Sequence, residues 1–423
     1  MSELQRILVK PSRLEGIVSL SGAKNSALRL LAASLLTKRT VRLKNYPARL
    51  LDAELHVEML ELLGKSCVVT NEDSIEISAI DRGQAPPTRL EWSKRSIRNT
   101  LLILGGLLAR HHVGSVPLPG GCKLGERKYD LHVMVMERLG ARVWEEGDYL
   151  CAEAPSGLTG ADIHLSLRST GATENAILMG ALAKGVTRIW NPHVRPEILD
   201  LIAMIRKMGA KIFVHGQEQI EIHGVSELDG AEHTVINDNM EAITWVAAAA
   251  ITKGDIEIMG FPFGDLEVVM AHLRAAGARF YAGEDSLIIR GGKCYPIEIS
   301  TGPHPGINSD VQPVLASWGA FANGESRITD LRFPGRYGYA EELSKMGLRT
   351  AVEGDMLKIF GQGGGLRGAQ VRALDLRAGA ALMLCGLGAS GETEISDAWQ
   401  ISRGYMNIVE KMQALGGQVT IQN

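Results

Sequence analysis

Apolar and polar positions along the chain follow a pattern that repeats six times. Each copy contains an amphipathic stretch with helical spacing that ends at a glycine, and successive glycines lie 76, 69, 68, 70 and 69 residues apart. Glycine directly after such a stretch is typical of the left-handed residue that ends a helix. The spacing predicts a unit of about 70 residues, longer than the common solenoid repeats. The glycines are Gly64, Gly140, Gly209, Gly277, Gly347 and Gly416.

The residues after these glycines alternate between apolar and polar with the period of a strand. In GARFYAGEDSLIIRG, which starts at Gly277, two alternating runs flank a short polar turn. Four other copies have the same arrangement of two alternating runs around a polar turn. Such runs predict β-hairpins. A second marker, an apolar helical segment followed by glycine and a short strand, occurs at Gly185, Gly254, Gly324 and Gly391. Each copy is therefore predicted to hold two helices and several strands.

Six mixed copies predict an α/β fold in two domains of three repeats. The sixth copy ends soon after its helix, at GGQVTIQN, and its missing partner strand is predicted in the N-terminal segment RILVKPSRLEGIVSLSG. This pairing makes the second domain discontinuous, with residues 1–23 joined to 236–423, while residues 24–235 form the first. A cleft between two domains is a preferred ligand site, so an active site is expected there. The alternative is that the repeats only build a scaffold.

Composition restricts the classes of function. Charged residues make up 22% and hydrophobic residues 45% of the chain, as in soluble globular proteins. The net charge of −3 argues against nucleic acid as a partner, since that requires a concentrated basic surface. Five irregularly spaced cysteines predict reduced thiols in the cytoplasm, and no zinc-type spacing occurs. The apolar runs 101–109 and 243–251 are too short to span a membrane.

A glycine-rich loop carries a candidate reactive thiol. In PGGCKLGERKYD, residues 119–130, Cys122 follows two glycines and precedes Lys123 and Arg127. Nearby cations favour the thiolate, which is the reactive form of cysteine. The alternative is a glycine turn with an incidental sulfur, because most free cysteines act as small apolar residues.

Several cations lie at the predicted starts of helices. Lys24 and Asn25 open the helical segment of SGAKNSALRLL, and Arg98, Arg377 and Arg403 lie at or just before other helical segments. The dipole at a helix N-terminus repels cations, so this placement favours a shared polyanionic ligand. Solvated surface side chains are the alternative for each of them.

An aspartate lies in the proline-containing segment PHPGINSDVQP. Asp310 comes just before an apolar helical stretch. It is suited either to act as a base that accepts a hydroxyl proton or to cap the N-terminus of the helix. The spacing favours the cap.

Seven motifs in one order resemble the enolpyruvyl transferase family, most of all its branch acting on UDP-N-acetylglucosamine. The resemblance covers essentially the whole chain and implies a two-domain inside-out α/β barrel with three repeats in each domain. It also implies transfer of the enolpyruvyl group of phosphoenolpyruvate to the 3-hydroxyl of UDP-N-acetylglucosamine, an early step of peptidoglycan synthesis, with no metal or cofactor. The motifs are SGAKNSAL, PGGCKLGERKYDLH, RSTGATENAI, RPEILD, HPGINSDVQ, DLRAGAAL and SRGY.

The resemblance also implies roles for individual residues. Cys122 matches the loop cysteine that protonates phosphoenolpyruvate and reacts with fosfomycin, and Asp310 matches the carboxylate near the attacking hydroxyl; Lys24 and Arg403 complete the implied catalytic set. The residues implied to bind phosphoenolpyruvate are Lys24, Arg98, Cys122, Arg127, Arg336, Arg377 and Arg403. Those implied to bind the acceptor are Asn25, Arg127, Asp130, Leu131, Ser169, Gly171, Asp310 and Arg332.

Departures from the family pattern concentrate on the acceptor side. Lys128 replaces a proline of the uridine loop, Arg332 stands where a small apolar residue is usual, and Ser402 replaces an aspartate. The acceptor is therefore either UDP-N-acetylglucosamine or another nucleotide, such as uridine monophosphate in nucleoside-antibiotic synthesis. A catalytically silent nucleotide-sugar-binding protein is a third interpretation, which the intact Cys122 and Asp310 disfavour.

We predict that replacing Cys122 with alanine abolishes or severely slows turnover, because the proton donor is lost. Turnover is measured as phosphate release from phosphoenolpyruvate. Fosfomycin is expected to add covalently to Cys122 when nucleotide is present, and intact-mass measurement detects the adduct. Unchanged activity of the Cys122→Ala variant would remove the proposed role, and a missing adduct would mean that the loop does not close as the resemblance implies.

Overall fold

The structure is a computed structural model that describes residues 5–81, 83–95, 97–119 and 129–422. Helices and strands alternate along the whole of this part of the chain. The α-helices are Lys24–Ala33 (α1), Leu51–Leu62 (α2), Thr100–His111 (α3), Asp130–Arg138 (α4), Thr170–Gly180 (α5), Pro196–Lys207 (α6), Asn239–Thr252 (α7), Phe263–Ala275 (α8), Gln312–Phe321 (α9), Tyr339–Lys345 (α10), Leu376–Gly388 (α11) and Ile408–Ala414 (α12), and short 3-10 helices span Ser34–Leu36, Ser309–Val311 and Ala398–Arg403.

Within the described residues, the strands form six small sheets. In chain order the strands are Arg6–Val9 (β1), Glu15–Ser19 (β2), Val41–Lys44 (β3), Lys65–Asn71 (β4), Ser74–Ala79 (β5), Val113–Pro117 (β6), Arg142–Glu146 (β7), Tyr149–Glu153 (β8), Asp162–His164 (β9), Val186–Trp190 (β10), Lys211–His215 (β11), Gln219–His223 (β12), Ala231–Thr234 (β13), Asp255–Met259 (β14), Arg279–Ala282 (β15), Ser286–Arg290 (β16), Glu298–Ser300 (β17), Asn323–Thr329 (β18), Arg349–Glu353 (β19), Met356–Gln362 (β20), Gln370–Arg372 (β21), Thr393–Ser396 (β22) and Val419–Gln422 (β23).

The sixfold repeat predicted from the glycine spacing is confirmed. All six helix-ending glycines have positive φ, between 85° and 105°, a backbone conformation that glycine adopts without the steric cost of a side chain. The five predicted hairpins are antiparallel strand pairs, β4–β5, β7–β8, β11–β12, β15–β16 and β19–β20. Of the second set of glycines, Gly254 lacks positive φ; a Cβ there would lie 1.9 Å from the Leu14 carbonyl oxygen, so close packing requires glycine instead.

One strand order recurs among the sheets. In the sheet with the order β11-β12-β10-β9, the hairpin β11–β12 pairs with β10 through β12, and this pair is antiparallel. On its other side β10 pairs with β9, and this pair is parallel. The sheets β15-β16-β14-β2, β19-β20-β18-β17 and β4-β5-β3-β13 repeat this order. The α/β fold class predicted from the sequence is therefore the observed one.

The N-terminal strand completes the sheet of the last repeat. In the order β21-β22-β1-β23, strand β1 lies antiparallel between β22 and β23 and occupies the place of the second hairpin strand. Ile7 pairs with Ile395 on one side and with Ile421 on the other. The predicted pairing of the two chain ends is thus confirmed.

The chain divides into two compact units. The described part of the central unit is residues 22–81, 83–95, 97–119 and 129–236, and that of the terminal unit is residues 5–21 and 237–422. In the terminal unit, α7, α9 and α11 pack on one another, and every residue of α7 and α9 is buried. Helices that are apolar on all sides must be buried in this way. None of the described helices is long and apolar enough to cross a membrane.

We predict that Val9→Asp destabilises the terminal unit by at least about 3 kcal/mol, because a fully buried position would then hold an unpaired charge. Thr420→Asp, on the exposed face of neighbouring β23, is the control and is expected to cost less than about 1 kcal/mol. Urea unfolding followed by the fluorescence of the buried Trp245 and Trp318 measures both values. Equal stability of the two variants would contradict the structural role of β1.

A buried histidine–asparagine pair occurs twice in the central unit. The Nδ2 of Asn99 lies 3.1 Å from Nδ1 of His56, and the Nδ2 of Asn175 lies 2.8 Å from Nδ1 of His132. Corresponding members are 76 residues apart, the spacing of the first two repeat glycines. Burial lowers the pKa of both histidines from 6.5 to about 3, and a nearby arginine acts in the same direction. Both imidazoles are therefore neutral in the folded protein.

These neutral histidines predict a loss of stability in mild acid. Between pH 6.5 and about 3 the unfolded chain binds protons that the folded chain does not, so the free energy of unfolding falls as the pH falls through this window. Each histidine is expected to remove about 2 kcal/mol between pH 6.5 and pH 5. His56→Gln should lessen this dependence, whereas His215→Gln, at an exposed position, should leave it unchanged. Urea unfolding at pH 7 and pH 5 tests this, and an identical pH dependence of His56→Gln and wild type would contradict it.

Candidate active site

Lys24 is the first residue of α1 and is buried in the central unit. Its Nζ lies 2.7 Å from Oδ2 of Asp52, whose other carboxylate oxygen lies 2.8 Å from Nη2 of Arg95. Asp52 thus holds two cations beside the positive end of the helix. Because Lys24 is buried and paired with Asp52, the alternative of a solvated surface lysine is wrong.

Asn25 is connected to α5 through one arginine. The Nη1 of Arg29 lies 3.4 Å from Oδ1 of Asn25, and the Nε of Arg29 lies 2.5 Å from Oε1 of Glu174. Burial raises the pKa of Glu174, while Arg29 opposes this shift. The amide is therefore held at the start of α1 by a buried ion pair.

The predicted nucleotide-contacting residues lie at the starts of α4 and α5. Ser169 caps α5, where its Oγ accepts a hydrogen bond from the backbone N–H of Ala172 at 3.4 Å. A Cβ at Gly171 would lie 2.7 Å from the ring of His132, so only glycine allows this approach of the two helices. Asp130 and Leu131 are the first two residues of α4, the helix that carries His132. The structure therefore brings these predicted residues together.

Arg98 precedes α3 by two residues and is half-buried. Its positive charge lowers the pKa of His132, after burial, which is the larger cause. This electrostatic coupling places Arg98 near the start of α4. The next residue, Asn99, is tied by its Nδ2 to the carbonyl oxygen of Leu28 at 2.9 Å, which joins this segment to α1.

In the terminal unit, Asp310 is not the cap that the spacing favoured. Asp310 lies within the 3-10 helix Ser309–Val311, which Asn308 caps by accepting the backbone N–H of Asp310 on its Oδ1 at 3.0 Å, and the N-cap position of α9 is Val311. The carboxylate of Asp310 instead lies 3.0 Å from Nη1 of Arg336 and 3.9 Å from Nε of Arg377. The carboxylate of Asp310 therefore forms ion pairs instead of capping α9.

Arg336 joins Asp310 to a second carboxylate. Its side chain is only 7% exposed, and its Nη2 lies 3.3 Å from Oδ2 of Asp375. Burial would lower the pKa of Arg336, but Asp310 and Asp375 together raise it. Sequence reasoning missed Asp375, although an aspartate directly before an apolar helical stretch is a recognisable N-cap signal.

Arg377 is 1% exposed in the first turn of α11. Its guanidinium carbon lies 4.9 Å from the centre of the Tyr405 ring, and the Tyr405 hydroxyl is 2.9 Å from Oγ1 of Thr244. Its Nε and Nη1 are buried and make no hydrogen bond within the described part of the chain. Buried polar groups are nearly always satisfied, and a guanidinium can donate paired hydrogen bonds to a carboxylate or a phosphate, so these two nitrogen atoms are candidates for binding an anion.

Arg403 is buried, but it is not at the start of a helix. It ends the 3-10 helix Ala398–Arg403, and α12 begins five residues later, so that part of the sequence prediction is wrong. Its Nη1 lies 3.0 Å from Oε1 of Gln400. A Cβ at the following Gly404 would lie 3.6 Å from Nη1 of Arg377, so this segment packs directly against Arg377.

Arg332 lies on a loop that Asp330 organises. The Oδ1 of Asp330 accepts the backbone N–H groups of Arg332 and Phe333, both at 3.0 Å. The guanidinium carbons of Arg332 and Arg336 lie 5.7 and 5.9 Å from the centre of the Phe333 ring. Arg332 therefore shares one aromatic ring with the arginine that binds Asp310.

Cys122 and Arg127 lie outside the described residues. The other four cysteines have free thiols, and three of them are buried. Burial raises the pKa of Cys67 and Cys294 to about 12 and raises that of Cys385 further. These thiols are poor nucleophiles at neutral pH. Among the described residues, no group of three or more His, Cys, Asp or Glu side chains is placed to hold a metal ion.

Comparison with known proteins identifies the family. UDP-N-acetylglucosamine 1-carboxyvinyltransferase of Finegoldia magna is 37% identical over 420 residues, 98% of each chain. UDP-N-acetylglucosamine 1-carboxyvinyltransferase 1 of Carboxydothermus hydrogenoformans is 40% identical over 407 residues, 96% of this chain and 95% of the relative. The enolpyruvyl transferase NikO from Streptomyces tendae has a similar structure, with a TM-score of 0.88 at 27% identity over 99% of both chains. Because the family model for EPSP synthase (3-phosphoshikimate 1-carboxyvinyltransferase) also matches residues 8–412, the chain belongs to this family of enolpyruvyl transferases.

Proposed function

We propose that the protein transfers the enolpyruvyl group of phosphoenolpyruvate to a hydroxyl of a uridine nucleotide and releases phosphate. The first candidate for the acceptor is UDP-N-acetylglucosamine, through its 3-hydroxyl. The observation that carries the proposal is the buried guanidinium of Arg377, with two nitrogen atoms unsatisfied, beside the carboxylate of Asp310. A site for a small polyanion next to a base is what this reaction requires.

Fixed cations bind phosphoenolpyruvate in this proposal. Arg377 and Arg403 are buried in the terminal unit, and Lys24 is buried in the central unit, so their charges are only weakly screened by water. Arginine forms paired hydrogen bonds with carboxylate and phosphate, and lysine acts as a compact charge. Arg98, Arg127 and Arg336 are proposed to complete the set.

Two residues move protons in the proposed reaction. Cys122 donates a proton to C3 of phosphoenolpyruvate, which makes C2 electrophilic, and Asp310 accepts the proton of the attacking hydroxyl. A bond then forms between the acceptor oxygen and C2. In the second step C3 returns a proton to the thiolate of Cys122, the bond between C2 and the phosphate oxygen breaks and phosphate leaves, while Asp310 releases its proton to water. Every atom in this scheme comes from the two substrates and these residues.

The residues proposed to bind the acceptor are those that the resemblance to the family implies. Asn25, Asp130, Leu131, Ser169 and Gly171 lie at the starts of α1, α4 and α5, where backbone N–H groups suit a phosphate or uracil oxygen. Arg127, Asp310 and Arg332 complete the proposed set. The names of the two relatives support UDP-N-acetylglucosamine as the acceptor.

A second candidate acceptor is another nucleotide, such as uridine monophosphate in nucleoside-antibiotic synthesis. Arg332 favours it, because this guanidinium lies on the loop that carries Arg336 and has no ion-pair partner within the described residues. A catalytically silent nucleotide-sugar-binding protein fits less well, because it has no need of the Asp310–Arg377 arrangement.

The first measurement is phosphate release from phosphoenolpyruvate without added metal, with a panel of acceptors. UDP-N-acetylglucosamine is compared with uridine monophosphate, uridine, other UDP-sugars and shikimate 3-phosphate. We expect release with UDP-N-acetylglucosamine and a loss of at least about 100-fold in Arg377→Ala, because a buried charge contact to the substrate is removed. Release with another nucleotide alone would select the second candidate, and release with none of them would contradict both.

A further inference from the structure

We propose that Asp375 is a positioning residue that controls both Arg377 and Asp310. The inference rests on the proposed function for its catalytic meaning, but the contacts on which it depends lie entirely within the terminal unit. Asp375 is itself 8% exposed and therefore acts from within the protein.

One oxygen of Asp375 fixes the start of α11. Its Oδ1 accepts the backbone N–H groups of Arg377 and Ala378, both at 2.8 Å. These groups are among the N–H donors that a helix leaves unsatisfied at its N-terminus, and a carboxylate there also interacts favourably with the helix dipole. The cap therefore sets the direction in which the Arg377 side chain leaves the helix.

The other oxygen of Asp375 acts on Asp310 through one arginine. Oδ2 lies 3.3 Å from Nη2 of Arg336, whose Nη1 lies 3.0 Å from Oδ1 of Asp310. The planar guanidinium therefore bridges two carboxylates with two different nitrogen atoms. A planar group held at both ends cannot rotate away from Asp310 without losing the contact with Asp375.

The four side chains are balanced in charge. Two guanidinium groups, Arg336 and Arg377, face two carboxylates, Asp310 and Asp375. Asp238, which caps α7, also acts on Arg377. Without the charge of Asp375, Arg336 would therefore keep Asp310 as its one carboxylate partner among the described residues. Asp310 would then hold a proton less readily and would be a weaker base for the acceptor hydroxyl.

Asp375→Asn tests this coupling with little change to the helix. Asparagine caps a helix about as well as aspartate does, so the start of α11 is retained while the charge is lost. The titration of Asp310 is followed by carbon NMR of protein labelled at the aspartate carboxyl groups, with its signal assigned through Asp310→Asn. We expect the titration midpoint of Asp310 to move to lower pH by about one unit.

Asp255→Asn is the matched control. Asp255 is also in the terminal unit and pairs with an arginine, Arg290, at 3.5 Å, but it lies on β14 and is exposed. This variant should leave the Asp310 titration unchanged. An unchanged titration in Asp375→Asn, with a urea midpoint equal to that of wild type, would overturn the proposal.

Kinetics distinguish this inference from the proposed function. In Asp375→Asn the acidic limb of the pH–rate profile should move to lower pH together with the NMR midpoint, and kcat should fall about tenfold, because the base is weaker. A purely structural defect would lower the rate without moving the limb, and that result would overturn the proposal. A wild-type protein that releases no phosphate with any acceptor would contradict the proposed function, while the NMR titration would still decide the coupling.

Discussion

Burial of the helices α7, α9 and α11 is the constraint on which the terminal unit depends. These helices are apolar on nearly every side, and packing them together is the way to remove that surface from water. Their N-terminal segments then lie close to one another. Asp310 precedes α9, Asp375 caps α11, and Asp238 caps α7 closely enough to influence the pKa of Arg377. The charged cluster is thus a consequence of how the core is packed.

The electrostatics of this cluster follow from the helix ends. A cation in the first turn of a helix is repelled by the dipole, and a buried cation also loses its hydration. Carboxylates of the capping type offset both costs, as Asp375 does beside Arg377. In the central unit, the carboxylate of Asp52 forms an ion pair with Lys24 at the start of α1 and offsets the same costs. Both units therefore hold cations at helix N-termini with buried acidic partners, and Nε and Nη1 of Arg377 make no hydrogen bond within the described residues.

The repeated architecture also places the same buried pair of polar side chains, a histidine and an asparagine, at two equivalent positions. The His56–Asn99 and His132–Asn175 pairs join neighbouring repeats of the central unit at equal spacing. Each asparagine Nδ2 also donates to a backbone carbonyl oxygen, that of Leu28 for Asn99 and that of Leu101 for Asn175, so one buried amide ties the histidine to a neighbouring helix. Glycines allow the same helices to approach, as at Gly105, where a Cβ would lie 2.2 Å from Oδ1 of Asn175. Repetition therefore preserves specific contacts as well as the strand order.

The sequence by itself determined the repeat, the hairpins and the pairing of the chain ends, because these depend on local periodicity and on glycine conformation. It also indicated Lys24, Arg377 and Asp310 as candidates, since their residue types are unusual or suggestive beside an apolar helix. Only the tertiary structure decided what each of them does. It placed Asp310 within a 3-10 helix and Arg403 at the end of another, and it joined Asp375 to Asp310 through Arg336. These contacts join residues 26 and 39 positions apart, and no local pattern specifies which of several nearby polar groups will form an ion pair once the core has packed.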